Sequence, residues 1–103
     1  MCLLNLIDNM NDKETEIILI AQEECAEVIQ AISKVNRFGI DGIHNGKSNR
    51  DHLEEEIGDL MCMFELMIEN GIIQKSLVDQ AKKRKISKLK CWSNIYGVSY
   101  DTK

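Results

Sequence analysis

The stretch DHLEEEIGDLMCMFELMIEN, residues 51–70, decides the fold of this chain. Its apolar residues recur at helical spacing, Ser48 or Asn49 can cap its start, and Gly71 stands where a helix C′ residue belongs. At about 100° per residue, Leu53, Ile57, Leu60, Met63, Phe64, Met67 and Ile68 share one face. Glu56 falls between Met63 and Met67, and Asp59 between Leu66 and Met63, so both carboxylates turn inward with the apolar face. Glu54, Glu65 and Glu69 lie opposite with Gly58 and face solvent.

Upstream, a helix is expected from about Glu14 to Asn36, with Asn11 or Asp12 as N-cap and Gly39 shortly beyond its basic end, KVNRFG. Ile17, Ile20, Ala21, Val28, Ala31, Ile32 and Val35 form its apolar sector. Glu24 falls inside that sector and Glu27 at its margin, whereas Glu23 lands with Gln30 and Lys34 on the polar side. The segment GIDGIHNGKSNR, residues 39–50, reads as an irregular loop. His44 and His52, in or beside it, read as surface residues.

Glu24/Glu27 and Glu56/Asp59 are each spaced i, i+3, so each pair meets on one side of its helix. If the two helices pack antiparallel, four carboxylates converge among apolar neighbours. Burying ionised carboxylates costs several kcal/mol each, and like charges add to the cost. A divalent cation removes the difficulty, and oxygen-only ligation selects Mg²⁺, with Mn²⁺ as a substitute. The alternative is that these acids merely decorate solvated faces, as charge-rich helices often do.

A third helix is expected from about Ser76 to Trp92. It places Lys85 between Val78 and Trp92, Lys88 between Leu77 and Ala81, and Lys82 next to them, a basic surface suited to a polyphosphate ligand. Snorkelling lysines are the plain alternative. Trp92 is either a stacking surface for a base or a core or interface residue.

The 103 residues, 44% hydrophobic and 29% charged with no proline, fit a single helical domain over residues 1–103, its core at about 14–92 and residues 93–103 an irregular tail. The leading CLLNLI is either a short helix or an extended arm. Net charge of −4 argues against a nucleic-acid polymer as partner. The uncharged run from Cys91 to Tyr100 is about half the length a bilayer-spanning helix needs. The start, MCLLNLIDNM, lacks the basic region of a secretory signal, so a cytoplasmic address is expected. Cys2, Cys25, Cys62 and Cys91 have neither pairing nor zinc spacing and read as reduced, buried thiols.

Glu23-Glu24-Cys25-Ala26-Glu27 matches E-E-x-x-E and Glu56-Ile57-Gly58-Asp59 matches E-x-x-D, with 28 residues between Glu27 and Glu56. With RFG before the loop, LEEEIGDL after it and a lysine-rich helix closing at Trp92, the chain resembles the MazG-like all-α nucleoside triphosphate pyrophosphohydrolases from about Glu16 to Trp92. The resemblance implies a small all-α bundle of three to four main helices, assembling as a dimer or tetramer with sites near subunit interfaces. It implies hydrolysis of (deoxy)nucleoside triphosphates between the α and β phosphates, with Mg²⁺ held by Glu24, Glu27, Glu56 and Asp59. Glu23 takes an outer-shell or second-metal role, and Lys82, Lys85, Lys88 and Trp92 contact the substrate. An activated water then attacks the α-phosphorus, Glu27 or Glu23 accepts its proton, and no histidine is needed. A di-iron bundle fits less well, because both i+3 positions are acidic where that site uses E-x-x-H. The remaining alternatives are a phosphoribosyl-ATP pyrophosphohydrolase and a non-catalytic helical module that binds a nucleotide or a protein.

Overall fold

Asn11 starts the first helix, α1 (Asp12–Phe38), through a capping box: its side chain accepts the Glu14 N–H at 2.8 Å, and the Glu14 carboxylate accepts the Asn11 N–H at 3.0 Å. The computed structural model describes residues 10–97. After α1 come two short strands, β1 (Ile43–His44) and β2 (Lys47–Ser48), then α2 (Asn49–Glu69) and α3 (Lys75–Trp92). The fold is all-α, with three helices among the described residues. The leading CLLNLI, Cys2 and the tail after Gly97 lie outside the described residues.

Two compact units divide the chain, residues 1–72 and 73–103. In the first, α1 and α2 run antiparallel. Ile17 and Ala21 pack with Met63, Leu66 and Met67 at one end, while Lys34 and Asn49 meet at the other, so rising numbers on α1 face falling numbers on α2. Helix α2 ends in a Schellman motif. Gly71, at φ 70°, donates to Ile68 O at 3.1 Å, and Ile72 donates to Met67 O at 2.9 Å while its side chain packs on the core.

The buried apolar core is narrow: Ile17, Ala21, Ala31 and Met63. Ile20, Ile32, Ile57 and Phe64, read as core from the helical wheels, are exposed, because one helix–helix contact shields only a single stripe. Cys25, Cys62 and Cys91 are free, as expected, but exposed rather than buried.

Residues 39–50 hold a hairpin where an irregular loop was expected. Asn45 and Gly46 both have positive φ, 52° and 77°, the type I′ geometry that Asn-Gly favours, and Ile43 pairs with Ser48 across it. Helix α2 therefore starts two residues earlier than its apolar pattern suggested, with Ser48 Oγ accepting the Asp51 N–H at 3.0 Å.

Asn49 fastens this hairpin to α1. It is 4% exposed, donates its side-chain amide to Gly39 O at 2.8 Å and its backbone N–H to Gly42 O at 2.8 Å. Gly42 leaves it room: a Cβ there would stand 2.8 Å from Phe38 O and 2.9 Å from Asn49 Nδ2. Asn49→Ala removes a side-chain hydrogen bond at a buried position and leaves the Gly39 carbonyl only the Gly42 N–H at 3.3 Å, at about 1–3 kcal/mol. Thermal unfolding should register a midpoint roughly 5–15 °C lower for a domain of this size.

The second unit is α3 with a short irregular end. Lys75 and Asp79 pair at 2.8 Å, Ser93 closes the helix on Leu89 O, and Lys90 lies over the Tyr96 ring at 5.7 Å. No residue of α3 is buried.

Candidate metal centre

Antiparallel packing brings the middle of α1 level with the middle of α2. There Glu24, Glu56 and Asp59 each turn a carboxylate oxygen to a common point, all within 4.8 Å of one another. The i, i+3 spacing on α2 sets Glu56 and Asp59 side by side, and Glu24 meets them from α1. Glu24 and Glu56 are half-buried, whereas Asp59 is exposed although its wheel position turned it inward. The site lies at the edge of the helix pair, not sealed within it.

The charges of its neighbours act on Glu24. Glu24 has its pKa raised, first by removal from water and then by the charges of Asp59, Glu56, Glu27 and Glu23. Glu27 and Glu23 are both exposed and stand outside the converging set, contributing negative charge from its margin. The expected fourfold convergence is thus, in this structure, a set of three with Glu27 beside it.

Oxygen ligands from three carboxylates suit a hard divalent cation. With bonds of about 2.0–2.1 Å to Mg²⁺, opposite ligands stand about 4 Å apart, so small side-chain rotations would bring these oxygens onto one ion. Three protein ligands on one side leave further positions for water and for ligand oxygens.

His52, read as a surface residue, is partly covered. It is half-buried one helical turn before Glu56, its Nε2 3.4 Å from Glu56 Oε1. It also lines a cleft of about 330 Å³ together with Lys34, His44, Asn45, Lys47 and Asn49. Lys34, assigned to the polar side of α1, is half-buried because the hairpin folds back over that end of the helix. His44 is exposed, as expected. Lys47 is committed to Glu55.

In the second unit Lys82, Lys85 and Lys88 extend along α3, all exposed, and Trp92 at its end is 87% exposed. Lys85 and Lys88 therefore do not lie in an apolar face within that unit. Wheel reasoning missed Lys34, Asn49 and His52. The sequence signal for Lys34 and Asn49 is Asn45-Gly46, whose hairpin determines what covers the end of α1, and the signal for His52 is its i, i+4 spacing to Glu56.

Residues 12–88 match the family model described as the MazG nucleotide pyrophosphohydrolase domain. No curated protein and no solved structure matches the chain.

Proposed function

The chain belongs to the MazG nucleotide pyrophosphohydrolase domain family, and from that premise we propose that it hydrolyses (deoxy)nucleoside triphosphates between the α and β phosphates. The products are the nucleoside monophosphate and pyrophosphate. The observation that carries this reading is the convergence of Glu24, Glu56 and Asp59 from two helices.

In this reading the three carboxylates would hold Mg²⁺, with Mn²⁺ as a substitute, and Glu27 would either complete the set as a fourth ligand or stay at the margin as a base. The bound ion supplies a polarised phosphate and a water of lowered pKa. Glu24, Glu56 and Asp59 would fix its place, and Glu27 or Glu23, exposed at the margin, would accept the proton of the attacking water. Lys82, Lys85 and Lys88 supply positive charge for the departing pyrophosphate, and Trp92 a surface for the base. The family match runs across both compact units, which supports one domain with its core at about 14–92.

A homodimer or homotetramer is part of the same proposal. Leu19, Ile29 and Ile32 on α1 and Ile57, Met61 and Phe64 on α2 are exposed, apolar surface that a second copy would cover. No helix among the described residues is long and apolar enough to cross a membrane. A cytoplasmic address is consistent with a nucleotide substrate.

A pyrophosphate-coupled assay over the eight common nucleotides, with Mg²⁺ and with Mn²⁺, tests the function. Monophosphate and pyrophosphate in equal amounts are expected. Release of orthophosphate with a diphosphate would place the cut at another bond. Protection from unfolding by a nucleotide, with no product from any of the eight, would make the chain a binding module.

A further inference from the structure

His52 stands one turn ahead of Glu56 on α2, and the reaction described above gives it no task. Its side chain is 24% exposed and that of Glu56 16%, and its Nε2 lies 3.4 Å from Glu56 Oε1. The side chains of Glu24 and Asp59 have no hydrogen bond or ion pair among the described residues. Of the three converging acids, Glu56 is therefore the one with a nitrogen beside it.

The backbone beneath His52 is fixed. Helix ends ordinarily fray, yet the first turn of α2 is fastened three times. Ser48 Oγ accepts the Asp51 N–H at 3.0 Å, Ile40 O accepts the Arg50 N–H at 2.9 Å, and the buried Asn49 donates to Gly39 O at 2.8 Å. The hairpin thus sets where the imidazole starts, and the i, i+4 spacing sets where it ends.

A carboxylate has two oxygens and about four lone-pair sites, so Glu56 can accept from a ring N–H and still offer oxygen to a cation. Holding a long side chain in its binding rotamer beforehand removes an ordering cost from the binding step. The 3.4 Å separation is longer than the roughly 2.7–2.9 Å of a charge-assisted bond, and such contacts often tighten only when a site is filled.

We infer that His52 is a positioning residue: its Nε2–H donates to Glu56 and holds that carboxylate turned toward Glu24 and Asp59 for a divalent cation. The inference rests on the metal-centre reading of these acids and needs nothing from the nucleotide.

Mn²⁺ titrated into the full chain without nucleotide, with the free ion read by electron paramagnetic resonance, tests it. His52→Gln keeps a donor, whereas His52→Met has the same length and a similar helix propensity without one. Loss of an outer-shell partner typically costs 10–100-fold in metal affinity, so His52→Met should bind Mn²⁺ about tenfold or more weakly and His52→Gln within about threefold of wild type. Circular dichroism checks the fold, and His52→Phe, a ring without a donor, replaces His52→Met if that variant does not fold. In turnover, His52→Met should need about tenfold more Mg²⁺ for its half-maximal rate yet reach the wild-type plateau. A lower plateau at an unchanged Mg²⁺ requirement would put His52 on the substrate and overturn the inference. Wild-type Mn²⁺ affinity in His52→Met, or an equal loss in His52→Gln, would overturn it too. Binding that weakens in His52→Met and recovers in His52→Gln, in a chain that hydrolyses no nucleotide, would uphold the role of His52 and remove the hydrolase reading alone. A wild-type chain that binds no Mn²⁺ would remove both.

Discussion

Glu56→Gln should abolish pyrophosphate release while raising the melting temperature of the metal-free chain. The substitution preserves shape and one oxygen but removes the charge. Glu56 is closely held: its side chain is 16% exposed, with His52 on one side and Glu24 and Asp59 on the other. Loss of an outer-shell partner of a metal ligand typically costs 10–100-fold in affinity or activity, and loss of a ligand should exceed that, so a fall of more than about 100-fold is expected. Stability should move the other way, because the charge of Glu56 is one of those that raise the pKa of Glu24. Removing it relieves repulsion that only a cation otherwise offsets. Asp59→Asn should behave alike. Glu54→Gln, on the exposed opposite face of α2, should change neither quantity. Circular dichroism checks that the helices persist, a pyrophosphate assay reads turnover, and a thermal scan in chelator reads the repulsion. Wild-type turnover in Glu56→Gln would remove the metal-centre reading.

Activity and stability are set against each other at this site, as expected where function needs an arrangement the fold alone disfavours. Much of that arrangement was legible beforehand. Periodicity located three helices, because each buries or offers one stripe, and the terminal signals at Asn11, Ser48 and Gly71 are local chemistry that neighbours do not override. Glu24, Glu56 and Asp59 were identified from wheel position, since antiparallel packing makes the level of one helix predictable from the other.

The misreadings have a common cause: a wheel knows direction but not cover. Lys34 points where its register says, yet the hairpin lies over it, and that hairpin hinges on Asn45-Gly46 rather than on any periodicity. Asp59 meets Glu24 of the partner helix and Ile57 shares the apolar wheel face, yet both are exposed. His52 sits beside a loop, which suggests a surface place, whereas its i, i+4 spacing to Glu56 is the local signal for the contact. Tertiary cover is a property of the next element along, and single-helix reasoning does not reach it.

Stripping divalent metal with chelator should stop turnover completely and lower the melting temperature, and added Mg²⁺ or Mn²⁺ should restore both. An ion that binds only the folded chain stabilises it by about 2.7 kcal/mol at a hundredfold excess over its Kd, roughly 10–20 °C for a domain this small. Protons compete for the same oxygens. The pKa of Glu24 is raised above 4.5 in the metal-free chain, so its protonation favours the fold below that ordinary value, and the benefit is lost as pH rises through the raised one. The metal-free chain should therefore lose stability across this window. The melting-temperature gain on adding metal should grow across the same window, because the ion requires the ionised form. Glu55 and Asp79 have lowered pKa values, so their contributions are lost only at more acid pH and do not mask the effect. In Glu24→Gln both trends should flatten between pH 4.5 and neutrality. A metal-dependent gain that is constant with pH in wild type, or unchanged in Glu24→Gln, would place the ion somewhere other than these three carboxylates.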